Sequence, residues 1–199
     1  MSERKILREW LPLKMGDGKF LAEDLRESGG PLVLKGPMQR CEAPNQNKRI
    51  YPRRVLQREF ENHMKAVREK RAMGELDHPE TSTVSLEKVS HVVREMWWEG
   101  DTWMGAIQVL PTPCGKILET LHDSGITLGI SSRGVGSTST NEGGLDLVQD
   151  DFTLVCFDMV AEPSTHGAFM GESVDLNRGS VLSRPDRIVR ALNALKGRK

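Results

Sequence analysis

The chain has few cysteines, no long apolar segment and no excess of charge of either sign. Its three cysteines are odd in number and form no Cys-x-x-Cys pair, which argues against a disulfide framework or a cysteine-built zinc site. No apolar run approaches the roughly 20 residues needed to cross a bilayer. The charged start, residues 1–5, is followed by no apolar core of a signal peptide. These absences predict a soluble protein of a reducing compartment, with no membrane partner.

The charge balance also narrows the classes of partner. Lys and Arg number 28 and Asp and Glu number 28, so the formal net charge is zero. Dedicated nucleic-acid binders usually carry a basic excess, although residues 195–199 form a local basic segment. No phosphate-binding loop, dinucleotide fingerprint or His-Glu-x-x-His motif occurs, so neither a metal nor an organic cofactor is expected.

Residue patterning predicts a single α+β domain. Residues 1–30 read as a loosely structured segment, 31–170 as the domain, and 171–199 as a tail with a short amphipathic helix. Apolar spacing predicts helices over 53–73 and 114–124, and 84–93 fits either a strand or a helical turn that leads into one. Strands are predicted over 31–36, 95–98, 102–110, 126–131, 145–150 and 152–160. Turn-linked neighbours favour an antiparallel sheet or barrel.

A serine near the middle of the chain could act as a nucleophile. Ser131 follows the apolar stretch 128–130 and precedes a Gly-rich segment, so the pattern predicts a strand end that opens into a turn. The amides of Ser132, Arg133 and Gly134 could then form an oxyanion hole. A polar hairpin loop explains the same residues. Strand alternation places Ser131 and Ser132 on opposite faces, so only one of them can face a site.

His78 is the best candidate for a general base among five histidines. It lies in 74–79 (GELDHP) between a predicted helix and a proline, and imidazole titrates near neutrality. An ordinary turn histidine remains the alternative reading. His63 is predicted on the charged face of a helix, His91 in a structural role and His122 at a helix end, with His166 in a loop as a distant alternative.

Three carboxylates compete to orient the base. Asp158 lies inside the apolar stretch 155–160, where a carboxylate is costly unless it is paired. It could equally pair with a buried arginine or a backbone amide. Glu75 and Asp77 are close to His78 in sequence and could orient it instead. The residues alone leave this choice open.

Taken together, several segments resemble the prohead core protease family of T-even-type tailed phages. The similarity covers about residues 40–165, and the order and spacing of the motifs make it specific. The matching segments are 45–56 (NQNKRIYPRRVL), 74–79 (GELDHP), 95–100 (EMWWEG), 129–137 (GISSRGVGS) and Asp158 with Pro163 and Ser164.

This resemblance implies a serine endopeptidase that matures phage heads without a cofactor. It places the nucleophile on Ser131 and the base on His78, and Asp158 is assigned as the third member by its position. The implied fold is a small antiparallel β-barrel surrounded by helices, similar to herpesvirus assemblin. The implied substrates are phage scaffold and capsid proteins inside the assembling prohead, in the host cytoplasm. Self-association stays open.

The resemblance also implies cleavage after Glu within short apolar-x-Glu sites, both in other proteins and in the enzyme's own chain. The sequence contains two such sites, 21–23 (LAE) and 117–119 (ILE). A pocket for Glu needs a cation, for which Arg133, or Lys48 with Arg49, are candidates. Two rivals remain. One is an inactive capsid or scaffold assembly factor of the same fold. The other is a nucleic-acid-binding module that uses the tryptophans at 97, 98 and 103 and the basic tail.

Overall fold

A computed structural model describes residues 4–9, 23–24, 30–126, 128–161 and 169–170. The tail helix predicted within 171–199, the loop around His166 and the sites at Leu21 and Ala22 lie outside these residues. The elements run in chain order as β1 Lys5–Glu9, β2 Glu23–Asp24, β3 Leu32–Arg40, β4 Arg49–Ile50, α1 Arg53–Arg68, β5 Met73–Glu75, a 3-10 turn Leu86–Lys88, β6 Val89–Glu99, β7 Thr102–Val109, α2 Pro113–Asp123, β8 Leu128–Gly136, β9 Thr138–Thr140, β10 Asp146–Val148, β11 Thr153–Val160 and β12 Phe169–Met170.

The described strands form three sheets in an α+β arrangement, as predicted. The first has the order β2-β3-β7-β6-β5, the second β1-β8-β11 with β12 also on β8, and the third β4-β10-β9. Pairing is antiparallel except between β4 and β10 and at an isolated bridge. These strands do not close into a barrel, so the barrel expected from the resemblance is not confirmed. Neither described helix is long and apolar enough to span a membrane.

The long hairpin of β6 and β7 carries the aromatic centre of the core. Its turn contains Gly100 with a φ of 57°, a left-handed conformation that glycine adopts without strain. Trp98 and Trp103 face each other across the hairpin, and Trp103 is fully buried with its ring 6.1 Å from that of Phe157. Trp98 and Trp103 therefore pack in the core, which argues against their use as a nucleic-acid stacking platform. Trp97 lies outside this cluster, half-buried, with its Nε1 donating to Glu99 Oε1 at 2.8 Å.

The helix α1 packs on the sheets through one face. Its buried positions include Val55, Leu56 and Val67, at the spacing that predicted the helix. The helix ends five residues earlier than predicted, since Lys70 takes a left-handed φ of 58° just beyond it. His63 also lies on the buried face, with its ring 5.6 Å from that of Phe157. The prediction of a charged-face position for His63 is therefore wrong.

Two strands depart from expectation and both matter for the site. β8 continues to Gly136, so Ser131 lies in the middle of a strand and not at its end. The serine and glycine residues of 131–136 suggested a turn, but close packing overrides this tendency: a Cβ on Gly134 would clash with the ring of Phe152. β1 lies within the segment predicted to be loose, and it pairs along Ser132–Gly136 because Leu7 is fully buried.

Candidate active site

Strand pairing brings Ser131 and Asp158 together. In the antiparallel register of β8 and β11, Asp158 is directly opposite Ser131, so both side chains point to the same face. Ser132 points to the other face, where its hydroxyl donates to Gln39 Oε1 at 3.1 Å. β1 pairs along 132–136 and β12 along 128–129 on the remaining edge of β8. Ser131 therefore lies between the ends of these two strands.

His78 reaches this pair from the loop that follows β5. Leu76 forms a parallel bridge with Met159, and the amide of Asp77 donates to the Met159 carbonyl at 2.9 Å. Asp77 has a φ of 66°, which turns the chain so that the next residue points at β8 and β11. His78 Nε2 lies 3.3 Å from Ser131 Oγ, and His78 Nδ1 lies 2.7 Å from Asp158 Oδ2.

Asp158 is fully buried and accepts several hydrogen bonds. Besides His78, the Arg133 guanidinium donates to both carboxylate oxygens, at 2.9 and 3.3 Å. The amide of Glu75 and the thiol of Cys156 donate to Oδ1, at 3.1 and 3.2 Å. Burial by itself would raise the pKa of Asp158, but the His78 hydrogen bond and the Arg133 charge together hold it below its ordinary value. Asp158 is therefore ionised at neutral pH.

Neither of the other two carboxylates considered from the sequence takes the place of Asp158 beside His78 Nδ1. Glu75 is fully buried, but its Oε1 accepts from the Ser85 amide at 2.6 Å and lies 3.1 Å from Arg133 Nη2. Asp77 lines the mouth of the site.

His91, expected to be structural, is fully buried, with Nε2 3.1 Å from the Phe157 carbonyl and Nδ1 2.9 Å from the Ser90 hydroxyl.

The residues after Ser131 do not lie where the sequence suggested. Ser132, Arg133 and Gly134 are paired with β1 on one edge and β11 on the other. Amides of a strand with two partners point alternately into the two ladders. The free turn on which the oxyanion-hole prediction depended is therefore absent here. The Arg133 side chain is fully buried against Asp158 and Glu75, so it cannot supply the cation of a substrate pocket.

A cleft of about 640 Å³ opens beside the nucleophile. Ser131, His78 and Asp77 line it together with Val160 and Ala161, and β1 and the β4 region supply its other wall, through Ile6, Arg8, Asn47 and Arg49. Arg49 was a sequence candidate for a pocket cation, whereas Lys48 is not part of this lining.

Sequence reasoning missed Arg8. It donates to the His78 carbonyl at 3.4 Å and forms an ion pair with Glu80 at 2.9 Å. The only signal was the period-2 pattern of β1, in which Ile6 and Arg8 share a face while Leu7 turns to the core.

The arrangement fits nucleophilic acyl transfer. A hydroxyl, an imidazole and a buried ionised carboxylate lie in hydrogen-bonded series, and the hydroxyl opens onto a cleft that carries positive charge. Within the described ranges no group of three or more His, Cys, Asp or Glu side chains is placed to hold a metal ion.

Comparisons with known proteins show which family the chain resembles. A family model described as "Prohead core protein serine protease" matches residues 12–175. The prohead core protein protease of Enterobacteria phage T4 is 35% identical over 164 residues, which cover 79% of this chain and 74% of the relative.

Among solved structures, the capsid assembly protease of bacteriophage T4 superimposes with a TM-score of 0.67 at 28% identity. The match covers 81% of this chain and 99% of the other. The likeness therefore extends over nearly all of that structure.

Proposed function

This chain belongs to the prohead core protein serine protease family and is a protease of phage maturation, and we propose that Ser131, His78 and Asp158 are its catalytic triad. The observation that carries the proposal is the unbroken series of contacts from Ser131 Oγ to His78 Nε2 and from His78 Nδ1 to Asp158 Oδ2, at 3.3 and 2.7 Å. Three elements that are distant in sequence bring these side chains into the hydrogen-bonded series that a triad requires.

The proposed reaction follows from these contacts. Ser131 Oγ attacks the scissile carbonyl, and His78 Nε2 takes the hydroxyl proton as the bond forms. The same proton then passes to the leaving amine as the peptide bond breaks. Asp158 accepts the Nδ1–H of His78, which fixes the tautomer with Nε2 free to accept, and its charge stabilises the imidazolium. A water molecule then attacks the acyl-enzyme while His78 takes its proton. The same proton returns to Ser131 Oγ as the carboxylic acid is released.

The substrate preference is proposed to be Glu on the acyl side of the cut bond. Two arginines, Arg8 and Arg49, line the cleft beside Ser131. Guanidinium groups bind carboxylates in a bidentate manner, which suits the recognition of a glutamate side chain. The Arg8 guanidinium already donates to the carboxylate of the largely exposed Glu80, so a substrate glutamate would take the place of that partner.

Self-processing is proposed at the first of the two candidate sites. Glu23–Asp24 forms a two-residue strand on β3, an extended conformation. The second candidate lies in α2, where Leu118 is fully buried. Cleavage after Glu119 would therefore require the helix to unfold first, whereas cleavage after Glu23 would not.

The proposed substrates in the cell are phage scaffold and capsid proteins, and the proposed site of action is the assembling prohead in the host. Support comes from the relatives, one of which is called a prohead core protein protease and another a capsid assembly protease. A purely structural role for this chain would give no reason for a buried ionised carboxylate aligned behind a histidine and a serine.

The test is mass spectrometry of the purified chain and of a Leu-x-Glu peptide after incubation. Wild type is expected to cut the peptide after Glu and to yield a chain that begins at Asp24. Ser131→Ala should leave both whole, while the neighbouring Ser132→Ala, on the opposite face, should still cut. Equal cleavage by wild type and Ser131→Ala would overturn the triad. No cleavage by wild type of either the peptide or a scaffold protein would favour the inactive assembly factor.

A further inference from the structure

The Arg133 side chain is the most heavily engaged group behind the site, and it does not touch the cleft. We propose that Arg133 is a positioning residue that fixes Asp158 and the His78 loop relative to each other. This inference rests on the proposed triad. It assigns Arg133 a role through those residues and none in substrate binding.

One guanidinium contacts each part of the structure that sets the position of the base. Nε and Nη2 donate to the two oxygens of Asp158, at 2.9 and 3.3 Å. Nη2 also lies 3.1 Å from Glu75 Oε1, on the strand that precedes His78. Nη1 donates to the carbonyls of Thr81 and Thr83, at 2.7 and 3.3 Å, in the segment that follows His78. The loop is thus held on both sides of the histidine.

The planar shape of the group is essential to this role. Its three nitrogens point in fixed directions, so the carboxylate of Asp158, the carboxylate of Glu75 and the carbonyl of Thr81 can be bound simultaneously. A lysine ammonium at the end of a flexible chain carries the same charge but cannot span these three partners. Movement of a reacting group by about 1 Å can cost roughly 100-fold in rate.

The charge of Arg133 is needed as well as its shape. Asp158, Glu75 and Arg133 are all fully buried, so two carboxylates share one cation. Buried charges are tolerated only where they are paired and hydrogen-bonded. Without Arg133 two carboxylates would be left together in the core with no cation between them. Shape and charge can be separated by substitution.

The experiment compares Arg133→Lys, Arg133→Met and the charge-balanced double variant Arg133→Met with Glu75→Gln. We expect Arg133→Lys to lose about 100-fold in kcat on a Leu-x-Glu peptide. Its KM should stay within about threefold of wild type, since the guanidinium lies outside the cleft. The double variant, which removes one charge of each sign, should regain thermal stability relative to Arg133→Met while its kcat stays low.

A proton NMR signal supplies a readout that does not depend on turnover. The proton shared by His78 Nδ1 and Asp158 should give a downfield resonance, identified by its loss in Asp158→Asn. It should persist in Ser131→Ala and be lost or shifted in Arg133→Lys and in the double variant. Wild-type kcat in Arg133→Lys or in the double variant would overturn the positioning role. If the triad itself were wrong, Ser131→Ala would match wild type in activity. That result can be distinguished from a failure of the positioning role alone.

Discussion

Two buried histidines away from the nucleophile should make the stability of this protein fall steeply in mild acid. Burial lowers the pKa of His91 to about 4, against the opposing effects of the Asp158 charge and of the hydrogen bond to the Phe157 carbonyl. Burial likewise lowers the pKa of His63 to about 4, although the nearby Glu59 charge opposes it. Both rings are therefore neutral in the folded protein at pH values where the unfolded chain binds protons.

The size and the sign of the effect follow from linkage. An unfolded histidine titrates near 6.5, so between about pH 6.5 and 4 the unfolded state binds more protons, and stability falls as the pH falls. Lowering the pKa from 6.5 to about 4 corresponds to roughly 3 kcal/mol per histidine. Two such groups give a maximal slope of somewhat over roughly 2 kcal/mol per pH unit. Together they could remove much of the roughly 5–15 kcal/mol that stabilises a typical domain.

The assay is urea unfolding of Ser131→Ala protein, which avoids self-cleavage, at several pH values between 7 and 4.5. His91→Gln and His63→Gln should each remove roughly 1 kcal/mol per pH unit from the slope, and the double variant should remove both contributions. A slope near zero in the parent, or an unchanged slope in both single variants, would refute the reasoning. A loss in only one variant would assign the effect to that histidine alone.

Three further predictions concern the site and its support. Asp158→Asn should lower kcat by about 10⁴, as expected when the base loses its orienting carboxylate, and activity retained within tenfold would count against its role. Arg8→Ala should raise KM for a Glu peptide by about tenfold or more, measured beside Arg54→Ala, an exposed ion-paired arginine outside the cleft lining that should leave KM unchanged. Gly74→Ala should destabilise the fold by about 1–3 kcal/mol in urea unfolding, because its Cβ would clash with the Phe157 carbonyl; unchanged stability would disprove the clash.

Much of the fold could be predicted because periodic burial decides local structure. The two helices carry apolar residues at helical spacing. The hairpin of β6 and β7 was indicated by its glycine-containing turn, and β11 by a nearly continuous apolar run. The errors lie where tertiary contacts override local tendency. β8 has a serine and glycine composition typical of a turn, but neighbours on both edges keep it extended. β1 carries too many charged residues to be predicted as a core strand from its sequence. In the structure it packs against the core through Leu7, which is fully buried.

Part of the chemistry of the site could be predicted from the sequence. Ser131 was a candidate as a serine after an apolar stretch, His78 as an imidazole that titrates near neutrality, and Asp158 as a carboxylate in an apolar strand. The resemblance to the protease family then implied their roles. Their approach to one another depends on the register of β8 against β11, which no local pattern specifies. The partners of Arg133 could not be predicted for the same reason, because Asp158, Glu75 and Thr81 lie in other parts of the chain than β8.

The most direct test of the account is covalent labelling of the nucleophile. An organophosphorus fluoride reacts with an activated serine: an Oγ–P bond forms, the P–F bond breaks, and the hydroxyl proton leaves through the base as fluoride departs. Peptide mapping by mass spectrometry should find the adduct on Ser131 in wild type and in Ser132→Ala. Labelling should be lost in Ser131→Ala and strongly slowed in His78→Ala. An adduct on another residue, or labelling that survives Ser131→Ala unchanged, would contradict the central claim that Ser131 is the nucleophile.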